Sequence, residues 1–325
     1  MPTRSFRVGK IAMTPISLAV LARRFCPPYP MSVMIRSSPR GAPRDARVAG
    51  TPLRGPRATA FGPWIPACAG MNGEGVSAVA ETKRLTGRIA AENIRLMAAP
   101  RPPQGAVARL LALGDATGII SDTLDELGIA RRVVGASVLK PTIPGRIIVG
   151  PALTVRNILQ RGDPIEGARQ HVNGMAEFEA HNLAQEGDVL VIQGVAHVSN
   201  MGGISAQTGK RQGEIGAIVH GGVRDVAHSR AIGYPIWASD LTPVTGKWRI
   251  ETVEINGPVA IGEVLVAPGD LVIADDTGVC FIPRDVVLEV IDAAEQKAKA
   301  EAVRCKAIDD GAPVPDISRA TFGEK

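Results

Sequence analysis

Asn200 to Asp225 read NMGGISAQTGKRQGEIGAIVHGGVRD, where two glycine pairs bracket an apolar run that ends in adjacent Arg224 and Asp225. Ile215 to Val219 (IGAIV) is short, mostly β-branched and uncharged, which predicts a buried strand. Gly221 and Gly222 predict a break there, with a helix over Val223 to Ile232, and Ile204 to Gln212 predicts a helix before the strand. Arg224 and Asp225 are thus expected at a strand-to-helix turn. Such turns in α/β folds collect ligands, because the first helical turn offers unpaired N–H groups and the strand end opens onto a crevice.

The alternation continues outward. Upstream, Val107 to Leu113, Thr117 to Leu127 and Asn173 to Gln185 carry apolar residues at helical spacing. Arg146 to Val155 (RIIVGPALTV) reads as extended structure broken at Gly150 and Pro151, and Asp188 to Gln193 (DVLVIQ) as a strand. Downstream, a short strand at Pro235 to Ala238 precedes strands alone: Thr252 to Ile255, Val259 to Ile261, Glu263 to Val266, Leu271 to Ala274 and Val279 to Ile282. Turn dipeptides such as Asn256-Gly257 and Gly269-Asp270 separate them. A last helix is expected over Arg284 to Val303. Alternating units followed by a β portion imply a single α/β domain of layered architecture over residues 100–290, with a helix and tail at 291–325.

Composition divides the chain unevenly. Residues 1–80 hold 11 Lys or Arg against two acids, a net +9, and the remainder holds 26 basic against 30 acidic residues, a net −4. The pI of about 9.2 therefore reflects the leading segment. The body is mildly acidic, so no nucleic-acid partner is expected of it. Residues 1–85, rich in Arg, Pro, Ser and Ala without periodicity, read as a disordered extension. A transit or signal peptide fits poorly: Ile11 to Ala22 is too short to span a bilayer, and Arg23 and Arg24 stand where a cleavage site should be. Phe61 to Met71 (FGPWIPACAGM) resembles a translated bacterial intergenic repeat, which would make Met71 or Met97 the natural start. The four cysteines show no paired spacing, so neither disulfides nor a zinc site is expected, and a cytoplasmic location without membrane association is the default.

Familiar motifs fail on spacing. Gly203 to Lys210 (GISAQTGK) has five residues between its glycines instead of four, and Arg211 stands where a phosphate-binding loop needs Ser or Thr. Gln207 replaces the closing glycine of a serine-hydrolase elbow around Ser205. No H-E-x-x-H occurs.

From Gly114 to Arg284 the chain resembles the RraA-like family. Its enzymatic branch contains 4-hydroxy-4-methyl-2-oxoglutarate aldolases, and its other branch contains regulators of ribonuclease E. The resemblance runs through Ser121 to Gly128 (SDTLDELG), Gly150 to Val155 (GPALTV), Gly187 to Val191 (GDVLV), the Gly202-Gly203 turn and Gly221 to Asp225 (GGVRD). It continues through Gly233 to Ile236 (GYPI), Asn256 to Val259 (NGPV) and Pro268 to Pro283 (PGDLVIADDTGVCFIP). It implies a swivelling-domain-like α/β/α fold and a homotrimer or stacked pair of trimers. It also implies a divalent cation, Mg2+ or Mn2+, on Asp225, with Arg224 binding a small 2-oxo acid substrate.

The family's substrate-binding turn falls here on Gly202, Gly203, Ile204 and Ser205. Free N–H groups at a helix start suit a carboxylate, and a guanidinium forks onto planar oxygens. The implied reaction is a metal-assisted retro-aldol cleavage releasing pyruvate, with oxaloacetate decarboxylation passing through the same enolate. A Schiff-base mechanism needs a desolvated lysine, and Lys140, Lys210 and Lys247 all lie outside buried strands.

Two departures stand out. Many family aldolases carry an acid where Gly203 stands, and His220 replaces a frequent family aspartate. His220 is therefore a candidate proton-transfer group, alongside the plainer reading of a histidine hydrogen-bonded at a strand end. Read singly, Asp225 fits a helix-opening residue and Arg224 a surface ion-pair partner better than a site; the double-glycine turn and the broad resemblance reverse that reading. Asp275 and Asp276 read as an acidic turn between strands. Lys247, Trp248 and Arg249 would add positive charge near an acidic substrate or belong to a solvated loop. The competing function is a protein-binding regulator without catalysis. No S-adenosylmethionine loop supports a methyltransferase.

Overall fold

The computed structural model describes residues 83–322, so the reading of residues 1–85 as an extension lies almost wholly outside the described residues. The described chain opens with helices α1 (Ala106–Ala112) and α2 (Thr117–Glu126). Short strands β1 (Val133–Gly135) and β2 (Lys140–Pro141) lead to the long β3 (Ile148–Leu159), then α3 (Pro164–Arg169) and α4 (Glu177–Leu183). Alternation follows through β4 (Val189–Gln193), β5 (Ser199–Met201), α5 (Gly203–Arg211), β6 (Gly216–Val223), α6 (Val226–Ala231) and β7 (Ile236–Leu241). The β portion comprises β8 (Ile250–Ile255), β9 (Val259–Ile261), β10 (Val264–Val266), β11 (Leu271–Ala274) and β12 (Gly278–Ile282), before α7 (Val287–Asp309) and α8 (Val314–Phe322).

Ten strands form one mixed sheet in the order β1-β12-β11-β3-β4-β6-β7-β2, with β5 added along β6 and β8 along β3. Strands β3, β4, β6 and β7 are parallel, which is why their segments read as continuous apolar runs. Alternation along β4 separates two cores. Leu190 and Ile192 face Ala180 and Leu183 of α4 and Ala206 of α5, while Val189 and Val191 face the β9–β10 hairpin. Helices α1, α2 and α7 bury Leu110, Ile120, Leu124 and Ile291 against Val149, Leu271 and Ile273 of the antiparallel half. This is the layered mixed α/β architecture expected from the sequence.

Four boundaries differ from that reading. Strand β3 runs unbroken through Gly150 and Pro151, because the glycine marks a close crossing and not a turn. A Cβ at Gly150 would lie 2.1 Å from the Gly187 carbonyl oxygen and 3.1 Å from Ile215 Cδ1. Gly150→Ala must therefore move backbone, and it is expected to lower unfolding free energy by about 3 kcal/mol. Urea melts would register this as a lower midpoint at unchanged slope.

Strand β6 likewise continues through Gly221 and Gly222, whose added Cβ atoms would meet Asn200 Nδ2 and the Val198 carbonyl at 2.4 and 2.5 Å. Those two glycines admit β5, so α6 begins at Val226 and not at Val223. Helix α4 begins at Glu177 because the Asn173 side chain accepts from the Met175 N–H and Gly174 bridges Glu251, holding 173–175 extended. Helix α7 runs six residues past the expected end.

Candidate active site

The sheet brings the two halves of the glycine-flanked stretch together. Strand β5 pairs with the end of β6, so the start of α5 lies beside the loop carrying Arg224 and Asp225. The Arg224 backbone N–H donates to the Met201 carbonyl at 3.2 Å. Asp225 occupies the N-cap position of α6 but makes no capping hydrogen bond there, and its backbone is left-handed at φ 56°. It reaches across to α5, where the Gly203 N–H donates to its Oδ2 at 3.0 Å. A strained residue that leaves its own helix uncapped to grip another fits a site better than a helix opening.

Oδ1 of Asp225 has no hydrogen-bond partner among the described residues, and the side chain is half exposed. Arg224 Nε approaches Asp225 Oδ2 at 3.5 Å. The two terminal guanidinium nitrogens of Arg224 have no acceptor among the described residues, so its planar fork remains available. On α5, the Ile204 and Ser205 N–H groups are the unpaired donors of a first helical turn. Ile204 projects its side chain outward, 76% exposed. Added Cβ atoms would press on Asp225 Oδ2 at Gly202 and on the His228 ring at Gly203, 2.8 and 3.1 Å away. Here His228, hydrogen-bonded to Gln207, fills the space where an acid at position 203 would project.

Two cavities meet at Arg224. The larger, of about 380 Å³, is lined by Arg224, Asp225, Leu241, Thr242 and Pro243 among others. The smaller, of about 40 Å³, runs inward between Gly202, Arg224, Met201, Ser199, Lys247 and Glu177. Lys247 thus brings its positive charge to the site. Trp248 packs edge-on to His171, and the Arg249 guanidinium donates to the Thr245 carbonyl.

The remaining candidates lie elsewhere. His220 lines neither cavity. Its Nδ1 accepts from the Gly262 N–H in the hairpin turn at 3.2 Å, and burial lowers its pKa, keeping the ring neutral. The Ser205 hydroxyl is buried against His181 Nε2 at 2.7 Å, leaving only its backbone N–H for a ligand. Asp275 accepts from the Thr117 N–H and hydroxyl at the start of α2, and Asp276 accepts from the Gly145 N–H, as an acidic turn would. Cys280 is buried and its thiol pushed up to about 12, so it is inert.

Two features escaped sequence reasoning. One is Glu177, buried on the small cavity. The other is a sealed chain of hydrogen bonds beneath α5 in which His181 Nδ1 pairs with Glu214 and the Tyr234 hydroxyl donates to the same carboxylate, each at 2.7 Å. The signal for both was the stripe Glu177, Ala180, His181 and Ala184, which is helical spacing with two polar members on an apolar face.

Among the described residues no three His, Cys, Asp or Glu side chains gather into a cation cage. A cation on Asp225 would complete its shell with water and substrate oxygens, the habit of magnesium, and the free Oδ1 at the mouth of the larger cavity fits that role. No helix among the described residues is long and apolar enough to cross a membrane.

Comparison with known proteins agrees with this fold. The family model RraA-like, described as Aldolase/RraA, matches residues 117–281. The chain belongs to the RraA-like family. Among its RraA-like relatives, a Halalkalibacterium halodurans protein named "Putative 4-hydroxy-4-methyl-2-oxoglutarate aldolase" is 31% identical over 196 residues, covering 60% of this chain and 85% of its own. Protein DlpA of Legionella pneumophila is 30% identical over 175 residues, which is 53% of this chain, and the chain spans only 27% of DlpA's length. The crystal structure of Streptomyces coelicolor RraAS2, described as an unusual member of the RNase ES inhibitor RraA protein family, superposes with a TM-score of 0.53 at 31% identity. That match covers 63% of this chain and 97% of RraAS2. An uncharacterized Pseudomonas syringae pv. tomato protein shares the fold at TM-score 0.57 and 22% identity, over 70% of this chain and 97% of its own.

Proposed function

We propose that this RraA-like protein is a divalent-metal-dependent lyase that cleaves a 4-hydroxy-2-oxo acid of the 4-hydroxy-4-methyl-2-oxoglutarate type and releases pyruvate. One observation carries the reading. Arg224 presents two free terminal guanidinium nitrogens at the junction of two cavities, beside an aspartate with one oxygen held and one free.

The substrate's carboxylate would lie against the Ile204 and Ser205 N–H groups, whose partial positive charge favours an anion. Arg224 would fork onto the keto and carboxylate oxygens and stabilise the charge that accumulates there as the C3–C4 bond breaks. Asp225 would hold the cation and, through its Gly203 contact, fix the α5 turn in register with it. When bound, the cation supplies Lewis acidity toward the keto oxygen. Decarboxylation of oxaloacetate needs the same enolate stabilisation and is proposed as a side activity. A homotrimer, or two stacked, is the proposed assembly, and the cytoplasm the proposed location.

Asp225→Ala is expected to abolish magnesium-dependent pyruvate release from 4-hydroxy-4-methyl-2-oxoglutarate while leaving the protein folded, since its half-exposed side chain makes one hydrogen bond. A lactate dehydrogenase-coupled assay with and without magnesium tests this. No turnover on this substrate or oxaloacetate by the unaltered protein, together with no magnesium binding, would favour the regulator reading that the likeness to RraAS2 keeps in view.

A further inference from the structure

Retro-aldol cleavage needs a group that takes the proton of the 4-hydroxyl and returns one to C3, and at position 203 this chain has no side chain to do so. The geometry points to Glu177 as the proton-transfer group of the site, reached through the small cavity from Arg224 and Gly202. This inference rests on the lyase reading above and extends it.

Three observations carry it. Glu177 has a relative exposure of 9%, and its carboxylate accepts from its own backbone N–H and from no other side chain among the described residues. Glu179, two residues on and also buried, is fully engaged: it accepts from the Thr86 and Gly87 N–H groups and the Asn182 amide. A carboxylate held only by its own backbone N–H keeps acceptor capacity for a ligand. What Glu177 faces is the cavity whose wall includes Arg224, Gly202 and Lys247. At about 40 Å³, this space admits a substrate hydroxyl or a water and little more.

Burial also raises the Glu177 pKa. Its own backbone N–H pulls it part of the way back down, followed by His181 one turn along α4, Arg88 from the segment ahead of α1 and Lys247 from across the cavity. A carboxyl raised above its ordinary value is a stronger base when ionised, as proton transfer requires. In the step, the Glu177 carboxylate accepts the 4-hydroxyl proton, and C4 becomes the carbonyl of the departing oxo acid. The C3–C4 electron pair moves into the enolate of pyruvate. The same proton, now on Glu177, is delivered to C3 to give the methyl group.

The test uses the full chain with magnesium, comparing the unaltered protein, Glu177→Gln and Glu177→Asp. Three readouts are followed: pyruvate release across pH, deuterium exchange into the methyl of pyruvate in heavy water, and oxalate affinity. For Glu177→Gln, turnover and exchange are expected to fall about 100-fold or more, with oxalate affinity preserved and the rise of rate with pH flattened. Glu177→Asp should keep that rise at a lower rate, and it decides the matter if the amide variant does not fold. Undiminished turnover and exchange in either variant overturns the role, as does a loss of oxalate binding that accounts for the loss of rate. If the unaltered protein neither releases pyruvate nor exchanges its methyl protons, the lyase reading itself fails and Glu177's role with it.

Discussion

Replacing Arg224 with lysine is expected to lower kcat/KM for pyruvate release by about 100- to 1000-fold, a loss of about 3–4 kcal/mol of transition-state stabilisation. The change retains the charge and removes the fork. A guanidinium can meet two oxygens in one plane at once, whereas an ammonium meets them as a point charge that water solvates strongly. The free terminal nitrogens of Arg224 stand where the α5 turn and the free Asp225 oxygen converge. A 2-oxo acid of the proposed kind placed there would have its keto and carboxylate oxygens within one guanidinium's span, and charge would grow on those oxygens only as the bond breaks. The loss should thus fall mainly on kcat at saturating magnesium, with a smaller rise in KM. Steady-state kinetics of Arg224→Lys on 4-hydroxy-4-methyl-2-oxoglutarate would check it, and a change under tenfold would demote Arg224 to a substrate-steering charge.

The placement of this pair was legible in the sequence for a physical reason. Buried parallel strands leave apolar runs, and the polar residues that follow them mark the strand ends where ligands bind. Hence Ile215 to Val219 reads as the strand and Arg224 and Asp225 as the turn that follows it. What the sequence concealed was the use of its glycines. Gly150, Gly221 and Gly222 look like breaks, but each admits another segment at a distance that no side chain permits, and such crossings depend on partners remote in the chain. Glu177 was hidden differently. A glutamate in the first turn of a helix is commonplace and reads as solvated, although its helical spacing with Ala180, His181 and Ala184 marks its face as the apolar one. Long-range packing decides the glycines, and a polar residue on an apolar stripe marks the glutamate.

Replacing His181 with alanine is expected to cost about 3–5 kcal/mol of unfolding free energy. His181 is fully buried and spends both ring nitrogens, Nδ1 on Glu214 and Nε2 on the Ser205 hydroxyl. Removing the ring leaves a buried carboxylate supported only by the Tyr234 hydroxyl, whose own pKa is driven well up by burial and by that carboxylate. The penalty is that of a stranded charge, which exceeds the roughly 1 kcal/mol of an ordinary hydrogen bond. Tyr234→Phe, which leaves Glu214 its histidine, should accordingly cost much less. Urea denaturation of both variants tests the ranking, and equal losses would mean that the histidine contributes only its volume. The network matters to the site through its attachments. His181 lies one turn from Glu177 on α4, and Ser205 belongs to the first turn of α5, beside Gly203 and its bond to Asp225. One set of buried hydrogen bonds therefore fixes the proposed proton-transfer wall against the proposed carboxylate-binding turn, so conditions in which His181→Ala stays folded should raise KM as the two walls loosen.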